Sequence, residues 1–299
     1  MSAGVSGMAT GLLKRALGWN RRGEAEKRAV HRRIAVARYR LRAAVATLLC
    51  WVPIPLATLL RRAGSDKHQP DGHLYGHAYA RAFARFRYRR VKLLEIGIGG
   101  YDFSLGGQSL TAWQAYFPRG RIVACDIEDK PGLATAGTRI YRVDQSSEAD
   151  LAMLREREGP FDIIIDDGSH LSRHQIFTFH RMFDALRDGG VYVIEDVMTS
   201  FWRFGGWDGA PIDSPDFAAT CVGHFLGLTR YLNADEFESA DGVDPALARL
   251  AANIGAIWFE KNLILIERRE GPKGETAIHR IRAMLARKAA GGSGGSGGH

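Results

Sequence analysis

Cysteine is scarce in this chain: Cys50, Cys125 and Cys221 are odd in number and far apart. They cannot build a disulfide framework, and no CxxC pair offers a thiolate metal site. A reducing compartment, the cytoplasm, is the expectation. A long apolar run is missing too. The uncharged stretch from Ala43 to Leu60 has 18 residues, which is marginal for crossing a bilayer. Pro53 and Pro55 break it into two pieces. Arg42 stands before it and Arg61 and Arg62 after it, so charge gives no orientation. A helix pair that packs in an oligomer or lies at an interface is preferred over a span. The run also starts too far from Met1 for a cleaved signal peptide.

Acids are almost absent from the first 62 residues. Thirteen Lys or Arg face only Glu24 and Glu26 there, a net +11, which leaves −3 for the rest of a chain whose total is +8. The basicity therefore belongs to an N-terminal arm. It reads either as a solvated helix face or as attraction to an anionic surface, with peripheral membrane contact through residues 24–62. No specific nucleic-acid partner is expected. At 299 residues, 45% apolar and 25% charged, the chain can bury a full core in one or two domains.

What is present is a series of apolar runs ending in acids or glycines. FDIIIDDGSH (Phe161 to His170) has three consecutive isoleucines followed by Asp166, Asp167, Gly168, Ser169 and His170. Such a run suits a strand covered on both faces. VYVIED repeats the pattern and ends in Glu195 and Asp196. Ligands sit at the carboxyl ends of strands in open α/β sheets. Several carboxylates brought together there repel unless a cation neutralises them. The economical reading is a divalent metal held by oxygen, with a histidine beside it.

Upstream, VKLLEIGIGG is a buried strand running into Gly97, Gly99 and Gly100, where the backbone can approach a ligand closely. RIVACDIED is a second strand ending in Asp126, placed to accept from ribose hydroxyls. The glycines are not followed directly by a helix N-terminus, so a pyrophosphate has no seat. That favours S-adenosylmethionine over a dinucleotide. Thr138 to Val143 reads as strand three, with Asp144 and Gln145 in reach of an adenine ring. Helices are expected over Glu24 to Leu49, Gln108 to Phe117, Ala149 to Arg157 and His174 to Leu186. AIWFE and LILIERR read as an antiparallel pair around Lys261 and Asn262. His68, His73 and His77 lack zinc-site spacing. Their segment reads as a loop over the site, with Lys67, His73 and Tyr79 as ligand contacts. Tyr79, Phe83 and Phe86 have helical spacing and read as core. VMTSFWRFGGWDG, with Trp202 and Trp207, reads as a substrate-facing loop.

LLEIGIGG, GGQSLTAWQAYFPRG, DIED, GPFDIIIDDGSH and GGVYVIEDVMTSFW together resemble the metal-dependent sugar O-methyltransferases of the macrocin and mycinamicin type, with polysaccharide and glycolipid relatives. The likeness runs from about Ser65 to Trp202. It implies an α/β class I methyltransferase (Rossmann-like) fold, with a seven-stranded, mostly parallel sheet closed by an antiparallel hairpin. It implies magnesium held by Asp167, Glu195 and Asp196, with Asp167 and His170 catalytic and His170 the general base. It implies a donor pocket of Glu95, Gly97, Gln108, Ser109 and Asp126. The strand ends add Gly99, Asp144, Gln145 and Asp166 as further cofactor-binding candidates, Asp166 reading either as a metal ligand or as a partner behind the ligands. A sugar-bearing acceptor and a homo-oligomer follow from the same likeness. The alternatives are methylation of a non-sugar hydroxyl or catechol, or a membrane-surface binding protein on this scaffold. The expected division is a basic helical arm at 1–64 and a catalytic domain at 65–270 whose segment 65–90 is a lid. A C-terminal helix at 271–290 and an appended linker and tag remnant at 291–299 complete it.

Overall fold

The computed structural model describes residues 23–70, 72–100, 105–239, 241–271 and 276–292. The part of the expected basic arm before residue 23 and the expected tag remnant at 293–299 fall outside them.

Seven strands form one sheet in the order β3-β2-β1-β4-β5-β7-β6. They are β1 (Lys92–Ile96), β2 (Arg121–Asp126), β3 (Thr138–Arg142), β4 (Phe161–Asp166), β5 (Leu186–Glu195), β6 (Ile254–Glu260) and β7 (Leu263–Arg268). Five run parallel, and β7 enters antiparallel between β5 and β6. Asn262, at φ 64°, closes the β6–β7 hairpin, a conformation Asn tolerates. Strand order reverses between β1 and β4. Their carboxyl ends therefore open a crevice for a ligand, with β2 and β5 flanking it.

Helices cover both faces. One face carries α1 (Glu24–Leu49), α2 (Leu56–Ala63), α3 (Gly76–Phe83) and α4 (Gln108–Tyr116); Leu93, Ile163, Ile165, Val191 and Val193 point into it. The other carries α5 (Glu148–Glu158), α6 (Ser172–Met182), α7 (Cys221–Thr229) and α8 (Pro245–Ala251) over Leu94, Ile164, Tyr192 and Ile194. Adjacent strand residues feed opposite cores, which is why the strands are apolar without alternation. A further helix, α9 (Ala277–Gly292), begins where the Glu236 carboxylate accepts from the N–H groups of Ala277 and Ile278.

The basic arm does not stand apart. α1 has neither Gly nor Pro inside it and ends before Pro53. Its Tyr39, Ala43, Ala46 and Cys50, spaced four, three and four, are buried, and the helix packs across α4. α2 starts after Pro55 and ends at Gly64 in the left-handed conformation. It buries Leu56, Leu59 and Leu60 in the same core as Trp113. Position 64 is a helix end and not a packing boundary.

One local expectation shifts. The helix read as His174 to Leu186 runs from Ser172 to Met182 and tightens into a 3₁₀ turn at Phe183–Ala185. Asp188, Gly189 and Gly190 lie inside β5. Partners there step from Phe161 with Leu186 to Ile163 with Val191, so the extra residues bulge out, with Gly189 at φ 71°.

His180 and His224 face one another across α6 and α7, Nε2 to Nε2 at 3.2 Å. Burial and then the neighbouring His180 lower the His224 pKa from 6.5 to about 4. The unfolded chain therefore binds more protons between those values. Stability should be complete above pH 6.5 and fall by up to about 3 kcal/mol towards pH 4. His224→Gln should flatten that slope in urea melts taken across the range. Leu60→Ala should cost about 2–5 kcal/mol in one cooperative transition; an unchanged melt would mean that α2 is not part of the core.

Candidate active site

Four strand ends supply the crevice. Asp167 N–H donates to the Ile96 carbonyl at 2.8 Å, which ties the end of β4 to β1. Gly97 has φ +80°, and a Cβ there would lie 2.0 Å from the Asp167 carbonyl oxygen. Only glycine lets the two loops meet this closely. His170 and Asp196 both have φ 56°. Left-handed backbone at two non-glycine residues facing one crevice marks a built site. Thr199 Oγ1 donates to the carbonyls of both, at 2.6 Å and 3.1 Å.

Asp167, His170 and Asp196 each offer a ligand atom, and the three atoms lie within 4.8 Å of one another. His170 Nε2 is 3.6 Å from Asp196 Oδ2, and His170 Nδ1 is buried without a protein partner. Asp196 Oδ1 accepts from Tyr75 OH at 2.6 Å and lies 3.2 Å from His73 Nε2, whose ring stacks on Tyr75. Two carboxylates and an imidazole with an orphaned nitrogen fit a divalent cation that takes oxygen and nitrogen donors.

Glu195 points elsewhere. Its Oε1 accepts from Lys67 Nζ at 2.7 Å and from Tyr79 OH. Lys67 Nζ also donates to Asp167 Oδ2 at 2.5 Å and lies 3.3 Å from Glu95 Oε1. Burial alone would lower the Lys67 pKa, but Asp167, Glu195 and Glu95 override it and hold the ammonium well above its ordinary value. Burial raises the Glu195, Asp167 and Glu95 carboxyls, and Lys67 opposes each rise. Lys67 is thus the resident counter-cation of the strand ends. The expected lid loop is partly interior, with Lys67 and Tyr79 buried.

A cavity of about 250 Å³ adjoins this cluster. Gly97, Gly99, Asp126, Asp144, Gln145, Asp167, His170 and Asp196 line it, together with Lys130 and His174. The Asp126 carboxylate accepts from the N–H groups of Ile98 and Glu128, and Lys130 Nζ lies 3.0 Å from it. Gln145 spans β4 and α6. Its amide donates to Asp166 and Thr178, both at 3.1 Å, and its oxygen accepts from Ser169 N–H. Asp166 is fully buried, and burial lifts its pKa to about 7. Glu95, Gln108, Ser109 and Asp166 do not line the cavity among the described residues. The buried Glu95 carboxylate accepts from Ser109 Oγ and Trp113 Nε1 at 2.9 Å and braces α4. Trp207 stands 6.4 Å from the His170 ring and 5.9 Å from Trp202, between ring centroids, so the aromatic loop borders the crevice. Nothing local in the sequence marks Tyr75 or Lys130 as a site residue.

Sheet order, the terminal hairpin and the strand-end site together define a class I methyltransferase fold. No protein-family model matches the chain. Among curated proteins it is similar to the 8-demethyl-8-alpha-L-rhamnosyl tetracenomycin-C 2'-O-methyltransferase of Streptomyces olivaceus, 40% identical over 76% of this chain and 58% of that one. It is also similar to the mycinamicin VI 2''-O-methyltransferase of Micromonospora griseorubida, 34% identical over 74% of this chain and 55% of that one. Among solved structures it resembles the MycE methyltransferase in complex with Mg and SAH, with TM-score 0.68 and 32% identity over 79% of this chain and 60% of that one. The likeness to sugar O-methyltransferases read from the motifs is thus borne out. The chain spans somewhat more than half the length of these relatives.

Lys67→Met should leave three carboxylates without their cation. In the absence of added divalent ions the variant should lose about 3–5 kcal/mol at neutral pH. Part of that loss should return as acid protonates the cluster. A variant as stable as wild type at pH 7 would show that Lys67 is not the counter-charge.

Proposed function

We propose that this chain transfers the methyl group of S-adenosylmethionine to a hydroxyl of a sugar, with the help of a divalent cation such as Mg²⁺. The observation that carries the reading is the Asp167–His170–Asp196 cluster opening onto the cavity between Gly97 and Asp126. The relatives point the same way: the Streptomyces protein is a 2'-O-methyltransferase of a rhamnosyl tetracenomycin, the Micromonospora protein is a 2''-O-methyltransferase of mycinamicin VI, and MycE has been solved with Mg, SAH and mycinamycin VI.

In this reading the cavity takes the donor. Asp126, braced by two backbone N–H groups, accepts from ribose hydroxyls, and Gly97 and Gly99 let the backbone lie against the ligand. Asp167 and Asp196 would hold the cation. When bound, it supplies Lewis-acid polarisation of an acceptor hydroxyl. Glu195 stays with Lys67 and Tyr79 and fixes the position of Asp167 through their shared ammonium. His170 takes the hydroxyl proton at Nε2, where the Asp196 carboxylate at 3.6 Å stabilises the imidazolium. Trp207, beside the His170 ring, lines the acceptor side. Holding donor and acceptor in line then contributes much of the remaining rate.

The clustering also favours a second role for His170, as a third ligand. One variant separates the two. With His170 as base, His170→Gln should lower kcat by about 10²–10⁴ and leave the Mg²⁺ dependence unchanged. With His170 as ligand, the half-saturating Mg²⁺ concentration should rise instead. The substrate class is tested by offering rhamnosylated and sugar-free tetracenomycin acceptors with S-adenosylmethionine and Mg²⁺. A single methyl should appear on the rhamnoside alone. Equal methylation of the sugar-free acceptor would overturn the sugar reading.

A further inference from the structure

Helix α1 carries two apolar stripes, and the fold uses one of them. Tyr39, Ala43, Ala46 and Cys50 face the core. On the other side Leu41, Val45 and Leu48, spaced four and three, are 67%, 45% and 80% exposed. The exposed stripe runs past the helix end into Trp51, which is 62% exposed and stacks on the exposed ring of Tyr88, 12° from coplanar with centroids 6.5 Å apart. Single exposed apolar residues need no explanation, but a continuous run of this kind does. At 3.6 residues per turn, Arg33 and Arg40 fall on one flank of the stripe and Arg38 on the other. All three are exposed.

We propose that this face docks the protein peripherally on an anionic lipid surface. The apolar stripe would enter the headgroup boundary, the flanking arginines would meet lipid phosphates, and the Trp51–Tyr88 pair would sit at the level where aromatic rings favour the interface. Charge selects this occupant. No acidic residue occurs between Glu26 and Asp66, a stretch that holds nine Lys or Arg. A second copy placing the stripe against itself would bring two such cationic faces together with nothing to neutralise them. Nucleic acid would satisfy the arginines and leave Leu41, Val45, Leu48 and Trp51 in water. Among the described residues no helix is long and apolar enough to cross a membrane, so the surface lies on the bilayer.

The test is co-sedimentation of the full chain with phosphatidylglycerol–phosphatidylcholine vesicles and with phosphatidylcholine vesicles alone, alongside light scattering for oligomeric mass. Wild type should sediment with the anionic vesicles, and less so in high salt. Leu48→Glu/Trp51→Glu should weaken that binding by roughly tenfold or more. The same variant should keep its melting profile and oligomeric mass, because both residues are exposed and outside the crevice. The proposal is overturned if wild type ignores anionic vesicles or if the double variant binds them equally well. It is also overturned if the variant changes oligomeric mass while vesicle binding stays as in wild type, which would assign the face to a second copy.

Discussion

Everything at the crevice depends on one electrostatic constraint. Parallel strands that end side by side bring Glu95, Asp167, Glu195 and Asp196 into a small, largely buried volume, and carboxylates cannot share such a volume uncompensated. The chain meets the constraint in two places. Lys67 reaches in from the segment before α3 and binds Glu195 and Asp167, with Glu95 beside it. Asp196 turns the other way, towards His170, His73 and Tyr75. Lys67 thus sits against the deep acids Glu95 and Glu195 and one oxygen of Asp167, while Asp196 faces the cavity. The backbone explains why the two adjacent acids at the end of β5 have different surroundings: Glu195 ends the strand, whereas Asp196 takes a left-handed backbone that swings it out.

The same constraint links the N-terminal helices to the chemistry. Lys67, Tyr75 and Tyr79 belong to a segment held in place by α2 and α3, which pack with α1 on the face of α4. Trp113 of α4 in turn donates to Glu95. A continuous set of contacts thus runs from the basic helix through the aromatic cluster of Tyr79, Phe83 and Trp113 to the strand-end acids. The helices set where the counter-charge sits as well as completing the core.

Much of this was legible in the chain. Buried strands announce themselves as apolar runs with acids at their ends, so β1, β2, β4 and β5 and the gathering of Asp167, His170 and Asp196 could be read from local pattern together with the rule for strand ends. The hairpin and α1 were likewise local. What could not be read was set by tertiary packing. Lys67 looks like any loop lysine until the sheet places three carboxylates around it. Glu195 and Asp196 are neighbours in sequence and differ only through one left-handed residue. Glu95 sits at a strand end like the others, yet α4 covers it and turns it into a brace. Composition showed that the arm was basic, but only the packing of Tyr39 and Leu60 shows that its helices belong to the core.

The central claim is that Asp167 and Asp196 form a divalent-cation site beside the cavity. It is tested most directly by calorimetric titration of Mn²⁺ into the full chain, as wild type and as Asp196→Asn. The account predicts one saturable site per chain in wild type, absent or severely weakened in the variant while the fold persists. A well-folded wild type that binds no Mn²⁺, or a variant that binds it as tightly as wild type, would contradict it.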